Sequence, residues 1–356
     1  MHFNNQIMNS LKIAERTVGI NSPTFIIAEL SANHLHNFDL AVKTIEAMKE
    51  AGADSVKLQT ALPDSITINS NKEDFIVSGG TSWDGRTLYD LYSETNTPWE
   101  WHGPLKKVIE DLGMIFFSSP FDNKAVDFLE KLNVPAYKIA SFEITDIPLI
   151  RHTASKGKPI IMSTGIAYEE NIQDAIDACK SVNNHQIILL KCTSAYPTPF
   201  DEVNLRVIPE LQKKFNCIVG LSDHTLGSLV PLGATALGAK VIEKHFILDR
   251  KLGGPDSEFS MEPNEFAQMV KDVRILETAL GTNEIYISKK VEKSRQFARS
   301  LYVVEDIKMG ELFTEMNVRS IRPGHGLPPK YLSEVLGKKS KQAIEKGTPL
   351  NWDLIE

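Results

Sequence analysis

The sequence predicts a (β/α)8 TIM barrel followed by a smaller, mainly β domain. Eight short apolar runs recur along the chain, and most of them are followed by an amphipathic stretch. Most intervals are about 20 to 30 residues, the length of a strand plus a helix. The pattern stops near Gly281, where a segment with many Gly and Pro turns begins. An open doubly wound sheet is the alternative, but eight units and the lack of a GxGxxG motif after the first run favour the barrel.

The eight predicted strands are short and apolar, and helical patterns fill the intervals between them. The strands are TFIIAEL near Ile27, DSVKLQT near Lys57, MIFFSSP near Phe117, PAYKIAS near Lys138, PIIMSTG near Met162, QIILLKCTS near Leu190, CIVGLSDH near Gly220 and KVIEKHF near Glu243. Two clear helical patterns are DLAVKTIEAMKEAGA and NKAVDFLEKLN, and the second places Val126, Leu129 and Leu132 on one face. Gly52 and Asn133 stand where helix C-caps are expected.

The interval between Lys57 and Phe117 is too long for a simple connection. It contains ALPDSITINSNKEDFIVSGGTSWDGRTLYDLYSETNTPWEWH, residues 61–102, which we call the insert. Loops of this length inside compact domains are usually functional or act as lids. The insert follows a predicted strand, so we expect it on the face of the barrel that carries catalysis.

The chain after Gly281 predicts a linker and a second domain. TNEIYISKKVEKSRQ is polar, which is typical of a linker. The remainder combines short strands with Gly and Pro turns, which indicates a mainly β domain with short helical turns. We predict a barrel domain over residues 1–282, a linker over 283–294 and a small domain over 295–356.

The composition is that of an ordinary globular chain. It has 356 residues, of which 42% are hydrophobic and 24% are charged, with a formal net charge of −7. This balance argues against a nucleic-acid surface and favours a soluble cytoplasmic protein. Three scattered cysteines without CxxC spacing predict neither a disulfide framework nor a cysteine zinc site. No apolar run reaches membrane-spanning length, and the N-terminal segment lacks a signal-peptide core.

Polar side chains gather at the C-terminal ends of the predicted strands, which meet in one cavity of a barrel. Lysines and hydroxyls donate hydrogen bonds to anions, and two histidines from neighbouring strands can hold a divalent metal. We therefore expect a phosphorylated, carboxylated substrate beside a metal. The strand-end residues are Glu29, Lys57, Gln59, Ser118, Ser119, Lys138, Ser141, Glu143, Ser163, Thr164, Lys191, Thr193, Ser194, Tyr196, Ser222, Asp223, His224, Glu243, Lys244 and His245.

Structural roles are the alternative for several of these side chains. Ser118 and Ser119 would then cap their strand, and His34, in the loop after the first strand, would stabilise a turn. For His224 and His245 the alternative is a hydrogen-bonded core pair. Their matching positions at the ends of consecutive strands favour metal binding.

The run KVIEKHF ends in three polar residues that alternate in direction. Glu243 and His245 lie two residues apart, so they share one side of the strand, and Lys244 faces the other. We expect Lys244 to pair with an acid outside the cavity. We expect Glu243 to orient an imidazole or a metal-bound water.

Eight motifs in order resemble one known family. They are FIIAELSANH, GADSVKLQT, FFSSPFD, YKIASFE, STGIA, KCTSAYPTP, GLSDHT and VIEKHF. Together they resemble the sialic acid synthase (N-acetylneuraminate synthase) family over nearly the whole chain. The tail, especially VRSIRPGHGLPP, resembles that family's C-terminal antifreeze-like (SAF) domain. The resemblance implies a transferase that condenses phosphoenolpyruvate with an N-acylated amino sugar.

Within this family, the insert resembles the pseudaminic acid synthases more than the N-acetylneuraminate synthases. The implied substrates are phosphoenolpyruvate, water and the open-chain aldehyde 2,4-diacetamido-2,4,6-trideoxy-L-altrose, and the implied products are pseudaminic acid and phosphate. Synthases for N-acetylneuraminic or legionaminic acid are the nearest alternatives. A metal-dependent aldolase is a more remote alternative, and a glycan- or ice-binding protein is the non-enzymatic one.

The resemblance also implies a role for each matching residue. The catalytic residues are Glu29, His224 and His245, and the two histidines are the metal ligands. Phosphoenolpyruvate binding falls on Lys57, Ser119, Lys138, Ser141, Ser163, Ser194, Tyr196 and Ser222. Sugar binding falls on Glu143, Asp256 and Arg322.

The implied mechanism forms a carbon–carbon bond and breaks a carbon–oxygen bond of phosphoenolpyruvate. The metal would act as a Lewis acid on the sugar aldehyde, and Glu29 would serve proton transfer and stabilise cationic character. Manganese or magnesium is the expected ion, with cobalt as an alternative. Arg322 would reach into the active site of a second subunit, which implies a domain-swapped homodimer.

Overall fold

Eight parallel strands close into a barrel in the computed structural model, which describes residues 10–78 and 83–356. Their order around the barrel follows the sequence, and the last strand, Val241–His245, pairs with the first, Phe25–Glu29, to complete the ring. Most of their residues are buried, as expected for parallel strands covered on both faces. The prediction of a barrel is confirmed, and closure excludes an open sheet. The strands are β3 Phe25–Glu29, β4 Ser55–Thr60, β5 Ile115–Pro120, β6 Tyr137–Ile139, β7 Ile160–Ser163, β8 Ile187–Cys192, β9 Ile218–Asp223 and β10 Val241–His245.

Helices follow most of the barrel strands and cover their outer faces. The two helices predicted from their amphipathic pattern are present, and Gly52 and Asn133 adopt positive φ angles of 89° and 52° after them. In the first, Asn37 caps the N-terminus by accepting from the Leu40 N–H over 3.0 Å. The helices of this unit are α1 Phe38–Glu50, α2 Pro63–Ile66, α3 Leu88–Thr95, α4 Trp99–Asp111, α5 Asn123–Lys131, α6 Ile147–Ala154, α7 Glu169–Lys180, α8 Val207–Phe215, α9 Leu229–Ala236 and α10 Pro263–Leu280.

A β-hairpin that the sequence analysis did not predict closes the N-terminal end of the barrel. It consists of β1 Ser10–Ile13 and β2 Arg16–Gly19. Ile13 and Val18 are fully buried in the barrel core. Arg16 forms a 2.9 Å ion pair with Asp54, the residue before β4. The hairpin was missed because two four-residue strands give too short a pattern to distinguish from a loop.

The insert follows β4 and therefore lies on the C-terminal face of the barrel, as predicted. It contains α2, a 3-10 turn at Glu73–Phe75 and α3. Residues 79–82, within the stretch NKEDFIVSGGTSWDG, lie outside the described residues. Residues 1–9 of the predicted barrel domain also lie outside them.

Residues Thr282–Glu356 form a second compact unit with a core of its own. It begins with exposed residues and the short helix α11 Lys289–Glu292. An antiparallel pair, β11 Ser300–Val303 and β12 Val318–Ile321, and the helix α12 Leu332–Val335 follow. Within the described part of the chain, every helix is too short or too polar to cross a lipid bilayer.

Candidate active site

Four charged side chains form a buried floor at the C-terminal end of the barrel. The Lys57 ammonium nitrogen lies 2.8 Å from Glu29 Oε2 and 2.9 Å from Glu243 Oε1. Lys138 lies 3.2 Å from the same Glu243 oxygen, and the Ser222 hydroxyl donates to it over 3.1 Å. The four charged side chains are no more than 3% exposed. They compensate one another, as burial requires, and we call Glu29, Lys57, Lys138 and Glu243 the charged floor.

The charged floor sets the protonation state of its own members. Burial opposes ionisation of Glu29, but His245, Lys57 and Lys138 outweigh it and hold the pKa of this carboxyl well below its usual range. Burial also disfavours the Lys57 ammonium, yet the two glutamates raise its pKa above the ordinary value. For Lys138, burial dominates and lowers the pKa. Glu29 is therefore a permanent carboxylate. Lys57 keeps its proton more strongly than an ordinary lysine, and Lys138 keeps its proton less strongly.

Glu243 holds two lysines and the Ser222 hydroxyl through Oε1 and bonds to no imidazole among the described residues, which contradicts that part of its predicted role. Its predicted role toward a metal-bound water stays a prediction. In register, Glu243 lies beside Ser222 of β9, whereas His245 lies beside Glu29 of β3. Two residues along a strand span about 6.6 Å. Glu243 therefore sits one layer deeper in the barrel than His245, where it bridges Lys57 and Ser222.

The lysines that face away from the cavity are tied to protein groups. Lys244 is fully buried, lies 2.6 Å from Asp223 Oδ2 and donates to the Thr225 carbonyl, which confirms its predicted pairing with an acid. Lys191 donates to the Thr193 hydroxyl over 2.9 Å. Both contacts are structural, because the ammonium groups of these lysines bond to other protein groups.

His224 and His245 lie side by side, with ring centroids 5.3 Å apart. The Nδ1–H of His224 donates to the Thr193 carbonyl over 3.2 Å, which leaves the lone pair on Nε2. Burial holds the pKa of His224 well below its usual value, so this imidazole is neutral. His245 Nε2 lies 3.3 Å from Glu29 Oε2, and its Nδ1 lies 3.7 Å from Asp256 Oδ2.

The histidine pair fits part of a metal coordination shell. Across residues 10–78 and 83–356, no group of three or more histidine, cysteine or carboxylate side chains is arranged to hold a metal ion. Imidazoles are nevertheless good ligands for a divalent ion, and the carbonyl partner on the other ring nitrogen of His224 is typical of metal-binding histidines. Oxygens from substrates or water would have to complete such a shell.

Small hydroxyl side chains cluster at the barrel mouth. The hydroxyls of Ser141 and Ser194 lie 2.6 Å apart. Gly165 lets these hydroxyls pack against its backbone, because a Cβ there would lie 2.2 Å from Ser194 Oγ and 2.6 Å from Ser141 Oγ. The hydroxyls of Ser119 and Ser163 are buried without a hydrogen-bond partner among the described residues. Buried polar groups normally have partners, so these serines are suited to an anion with several oxygens.

Aromatic side chains pack against both histidines. The Tyr196 ring lies 4.4 Å from the His224 ring and 5.3 Å from Phe259, and Phe259 lies 5.0 Å from His245. Burial raises the pKa of the Tyr196 phenol, whose hydroxyl also hydrogen-bonds Ser194. Tyr196 therefore connects the serine cluster to the histidine pair as a neutral hydrogen-bonding group.

Two of the predicted sugar-binding acids lie at the barrel mouth. Asp256, in the loop after β10, accepts from the Ser31 hydroxyl and from the Ala32 N–H over 3.4 Å. Glu143 ends the 3-10 turn that follows β6. Burial raises the pKa of Glu143 to about 7, and its Oε2 has no hydrogen-bond partner within the described parts of the chain. Arg322 is exposed in the C-terminal unit, and its role stays a prediction.

Gln59, one of the predicted strand-end residues, belongs to the site and holds Glu29, a specific role that was not predicted. Its amide donates to Glu29 Oε1 over 2.9 Å and to the Ser31 hydroxyl over 3.1 Å. Gln59 therefore holds Oε1 of Glu29, while Lys57 holds Oε2. The alternation of side chains along a strand predicts this position, since Gln59 stands two residues after Lys57 and so faces the same side of β4.

The insert contributes aromatic side chains that were not predicted as site residues. The Trp83 indole N–H donates to the Pro255 carbonyl over 3.2 Å, and its ring lies 5.9 Å from Tyr196. Burial raises the pKa of the Tyr92 phenol, and the charge of Glu143 adds to this shift. The insert therefore lies over the mouth of the barrel, as expected of a lid.

Other strand-end residues are structural. His34 donates from Nε2 to the Thr97 hydroxyl over 3.2 Å, while its Nδ1 accepts the His36 N–H. The Thr60 hydroxyl lies 2.6 Å from Ser118 Oγ and 2.8 Å from a ring nitrogen of a histidine in α4. These contacts join the insert to the barrel wall and point away from the cavity.

Comparison with known proteins matches this chain over most of its length. The NeuB family matches residues 44–285, and the SAF domain matches residues 298–356. The pseudaminic acid synthase of Campylobacter jejuni subsp. jejuni serotype O:23/36 is 51% identical over 326 residues, which cover 92% of this chain and 95% of that protein. The pseudaminic acid synthase of Helicobacter pylori is 50% identical over 335 residues, 94% of this chain and 98% of that protein.

A solved structure shares the fold over most of this chain. It is an N-acetylneuraminic acid (sialic acid) synthetase from Leptospira borgpetersenii serovar Hardjo-bovis, with a TM-score of 0.72 and 30% sequence identity. The match covers 80% of this chain and 94% of that one.

Proposed function

The chain belongs to the NeuB family, and from that premise we propose that it is a pseudaminic acid synthase. It would condense phosphoenolpyruvate with 2,4-diacetamido-2,4,6-trideoxy-L-altrose and water, and would release pseudaminic acid and phosphate. The identity of about half the residues to pseudaminic acid synthases over more than nine-tenths of the chain supports this product.

The observation that carries the chemistry is the incomplete polar network at the barrel mouth. Lys57 and Lys138 supply positive charge, and the hydroxyls of Ser119 and Ser163 are buried without partners in the described ranges. A compound with both phosphate and carboxylate groups would satisfy such a set. We assign phosphoenolpyruvate to these groups together with Ser141, Ser194, Tyr196 and Ser222.

Glu29 is suited to act as a carboxylate and not as an acid. Its pKa is held far below neutrality, so it is ionised whenever substrates bind. As carbon 3 of phosphoenolpyruvate attacks the aldehyde carbon, positive character develops at carbon 2. A fixed carboxylate stabilises that charge. The water that adds at carbon 2 gives its proton to the alkoxide oxygen formed from the aldehyde, before phosphate leaves by carbon–oxygen cleavage. Gln59 and Lys57 hold the carboxylate in place.

We propose that His224 and His245 hold a divalent ion, manganese or magnesium being favoured and cobalt the alternative. When bound, it would supply a Lewis acid for the sugar aldehyde. The fixed tautomer of His224 supports this assignment, because it presents an unprotonated nitrogen. His245→Ala should remove metal-dependent turnover. Full activity of the wild-type protein in excess chelator would rule out the assignment.

The sugar is assigned to Glu143, Asp256 and Arg322. The orphaned oxygen of Glu143 and the position of Asp256 beside His245 support the first two. Arg322 would come from a second subunit of a domain-swapped homodimer. We also propose a cytoplasmic location, since the cysteines are free and the net charge is −7.

The direct test is to identify the product. Purified protein, phosphoenolpyruvate and a panel of 2-acetamido and 2,4-diacetamido sugars are incubated with manganese, and phosphate release and product mass are measured. We expect the diacetamido-trideoxy altrose to give the highest kcat/KM. Preferential turnover of N-acetylmannosamine or of the legionaminic acid precursor would replace this product with that of a sibling enzyme.

The swapped homodimer has a test of its own. Arg322→Ala and His245→Ala are each expected to be nearly inactive. If Arg322 acts in the other subunit's site, mixing the two variants creates dimers with one intact site. Random mixing makes half of the dimers mixed, so up to about a quarter of wild-type activity should return. No recovery after confirmed subunit exchange would contradict the swap.

A further inference from the structure

Trp83 brings an aromatic ring from the insert to the barrel mouth. Its indole N–H donates to Pro255 O over 3.2 Å, next to the proposed sugar-binding Asp256, and its ring lies 5.9 Å from Tyr196. It thus bridges the loops that follow β8 and β10, which carry one proposed residue for each substrate. The indole N–H is already used in this contact, so Trp83 presents mainly apolar ring surface.

Trp83 extends a run of aromatic rings that begins at the histidines. Tyr196 lies 4.4 Å from His224, and Phe259 lies 5.0 Å from His245 and 5.3 Å from Tyr196. We call Trp83, Tyr196 and Phe259 the aromatic wall. The wall contrasts with the charged floor, where every side chain is ionic. A ligand that fits both must be polar at one end and partly apolar along another edge.

We propose that Trp83 determines specificity for a sugar whose carbon 6 is a methyl group and not a hydroxymethyl group. This inference rests on the proposed function, which places the aldehyde carbon at the histidine pair. Carbon 6 is then the end of the open-chain sugar farthest from the histidines. Trp83 lies at the outer end of the aromatic wall, beyond Tyr196 as seen from His224.

The discrimination has a simple physical basis. A methyl group against an indole face loses water favourably, because apolar surface is buried. A hydroxyl at the same position loses its hydrogen bonds to water, and the indole N–H is committed to Pro255. The combined effect is a preference on the order of ten- to a hundredfold for the deoxy sugar.

The test compares kcat/KM for two diacetamido sugars that differ only at carbon 6, methyl against hydroxymethyl. Trp83→Gln keeps an N–H donor that can reach Pro255 but replaces the ring with a polar amide. Trp83→Phe keeps the ring and loses the donor. We expect wild-type and Trp83→Phe to prefer the methyl sugar at least tenfold and Trp83→Gln to lose most of that preference. Tyr89→Phe, in the same insert, is the matched control, since the hydroxyl of Tyr89 pairs with Asp64.

The ratio of the two rates makes the result independent of folding losses, because a partly unfolded variant loses both activities equally. An unchanged ratio in Trp83→Gln, or a wild-type protein without preference, would overturn the inference. If the wild-type protein releases no phosphate with either sugar, the proposed function fails. The same comparison is then made by calorimetric binding of the two aldehyde-reduced sugars, where equal affinities, or no binding, would overturn the role of Trp83.

Discussion

The two ends of the barrel carry charged networks of similar composition and different completeness. At the N-terminal end, Arg16 and Arg274 share Asp54, and Arg274 also pairs with Glu277, with side chains 13–37% exposed. At the C-terminal end, the charged floor is no more than 3% exposed. The first network is open to water, and the second is closed off from it.

The networks also differ in which atoms remain unsatisfied. At the N-terminal end, Asp54 accepts from Ile26 N–H, and Arg274 donates to the Thr24 carbonyl. At the C-terminal end, buried atoms lack a partner among the described residues at Ser119, Glu143, Ser163, Glu243 and His245. At the N-terminal end, the Thr24 hydroxyl is the single such atom among the described residues, so that network is nearly complete and stabilises the fold, whereas the buried C-terminal network is incomplete and suited to a ligand. Composition alone does not distinguish the two.

The strongest test of this contrast removes one cation from each end. Lys57→Met leaves Glu29 and Glu243 buried without their shared ammonium, and should lower the free energy of unfolding by about 3–5 kcal/mol and abolish activity. Arg16→Met removes a half-exposed partner of Asp54, and should cost no more than about 1 kcal/mol with activity unchanged. Urea unfolding of both variants measures this. Equal losses would mean that burial does not separate the networks.

The second test displaces the hydroxyls of Ser141 and Ser194. Gly165→Ala places a methyl group within 2.6 Å of two serine oxygens, so the KM for phosphoenolpyruvate should rise on the order of tenfold or more. Gly103→Ala is the matched control, because a Cβ at Gly103 in α4 meets no atom within 4 Å. This control should keep wild-type kinetics and be slightly more stable. Unchanged kinetics in Gly165→Ala would show that the positions of these two serine hydroxyls do not matter for substrate binding.

The third test uses the titration of Glu143. Its pKa is raised from 4.5 to about 7, because burial disfavours the carboxylate. The folded state therefore binds a proton that the unfolded state has lost, and the free energy of unfolding should fall as pH rises from about 4.5 to about 7. Glu143→Gln should remove that part of the slope and also an inflection near pH 7 in the KM for the sugar. Unfolding curves and kinetics across this pH range provide the measurements, and identical profiles for both proteins would refute the assignment.

The smallest effects concern single orphaned hydroxyls at the two ends. Ser163→Ala and Thr24→Val each remove a buried hydroxyl that has no partner in the described chain. Each should raise the free energy of unfolding by about 0.5–1 kcal/mol. Only Ser163→Ala should also raise the KM for phosphoenolpyruvate, since Thr24 lies before β3 at the opposite end. A kinetic effect of Thr24→Val would break the contrast between the ends.

Much of this arrangement could be predicted from the sequence, because the barrel rests on local patterns. Eight apolar runs gave the eight strands, and alternation along a strand separated Lys244 from Glu243 and His245. Gln59 followed from the same alternation once Lys57 was placed inward. Each of these steps needs only neighbouring residues.

The remaining features depend on distances that no local pattern contains. The register between neighbouring strands places Glu243 deeper in the barrel than Glu29. This depth determines that Glu243 contacts the lysines. The contact of Trp83 with Pro255 joins residues 172 positions apart. Such contacts arise from tertiary packing of an irregular insert, so the sequence located the insert but not its partners.

Closure of the barrel has a consequence for how the chain is made. β3 is paired on one side with β10, and Arg274 holds the carbonyl before β3 across 250 positions of sequence. On a ribosome, this edge of β3 stays open until β10 has emerged, which takes about 10–50 s at ~5–20 residues per second. During that time FIIAE presents an apolar strand edge that can pair with other chains. The yield of folded protein in cells should therefore depend on how quickly the last barrel segment is translated.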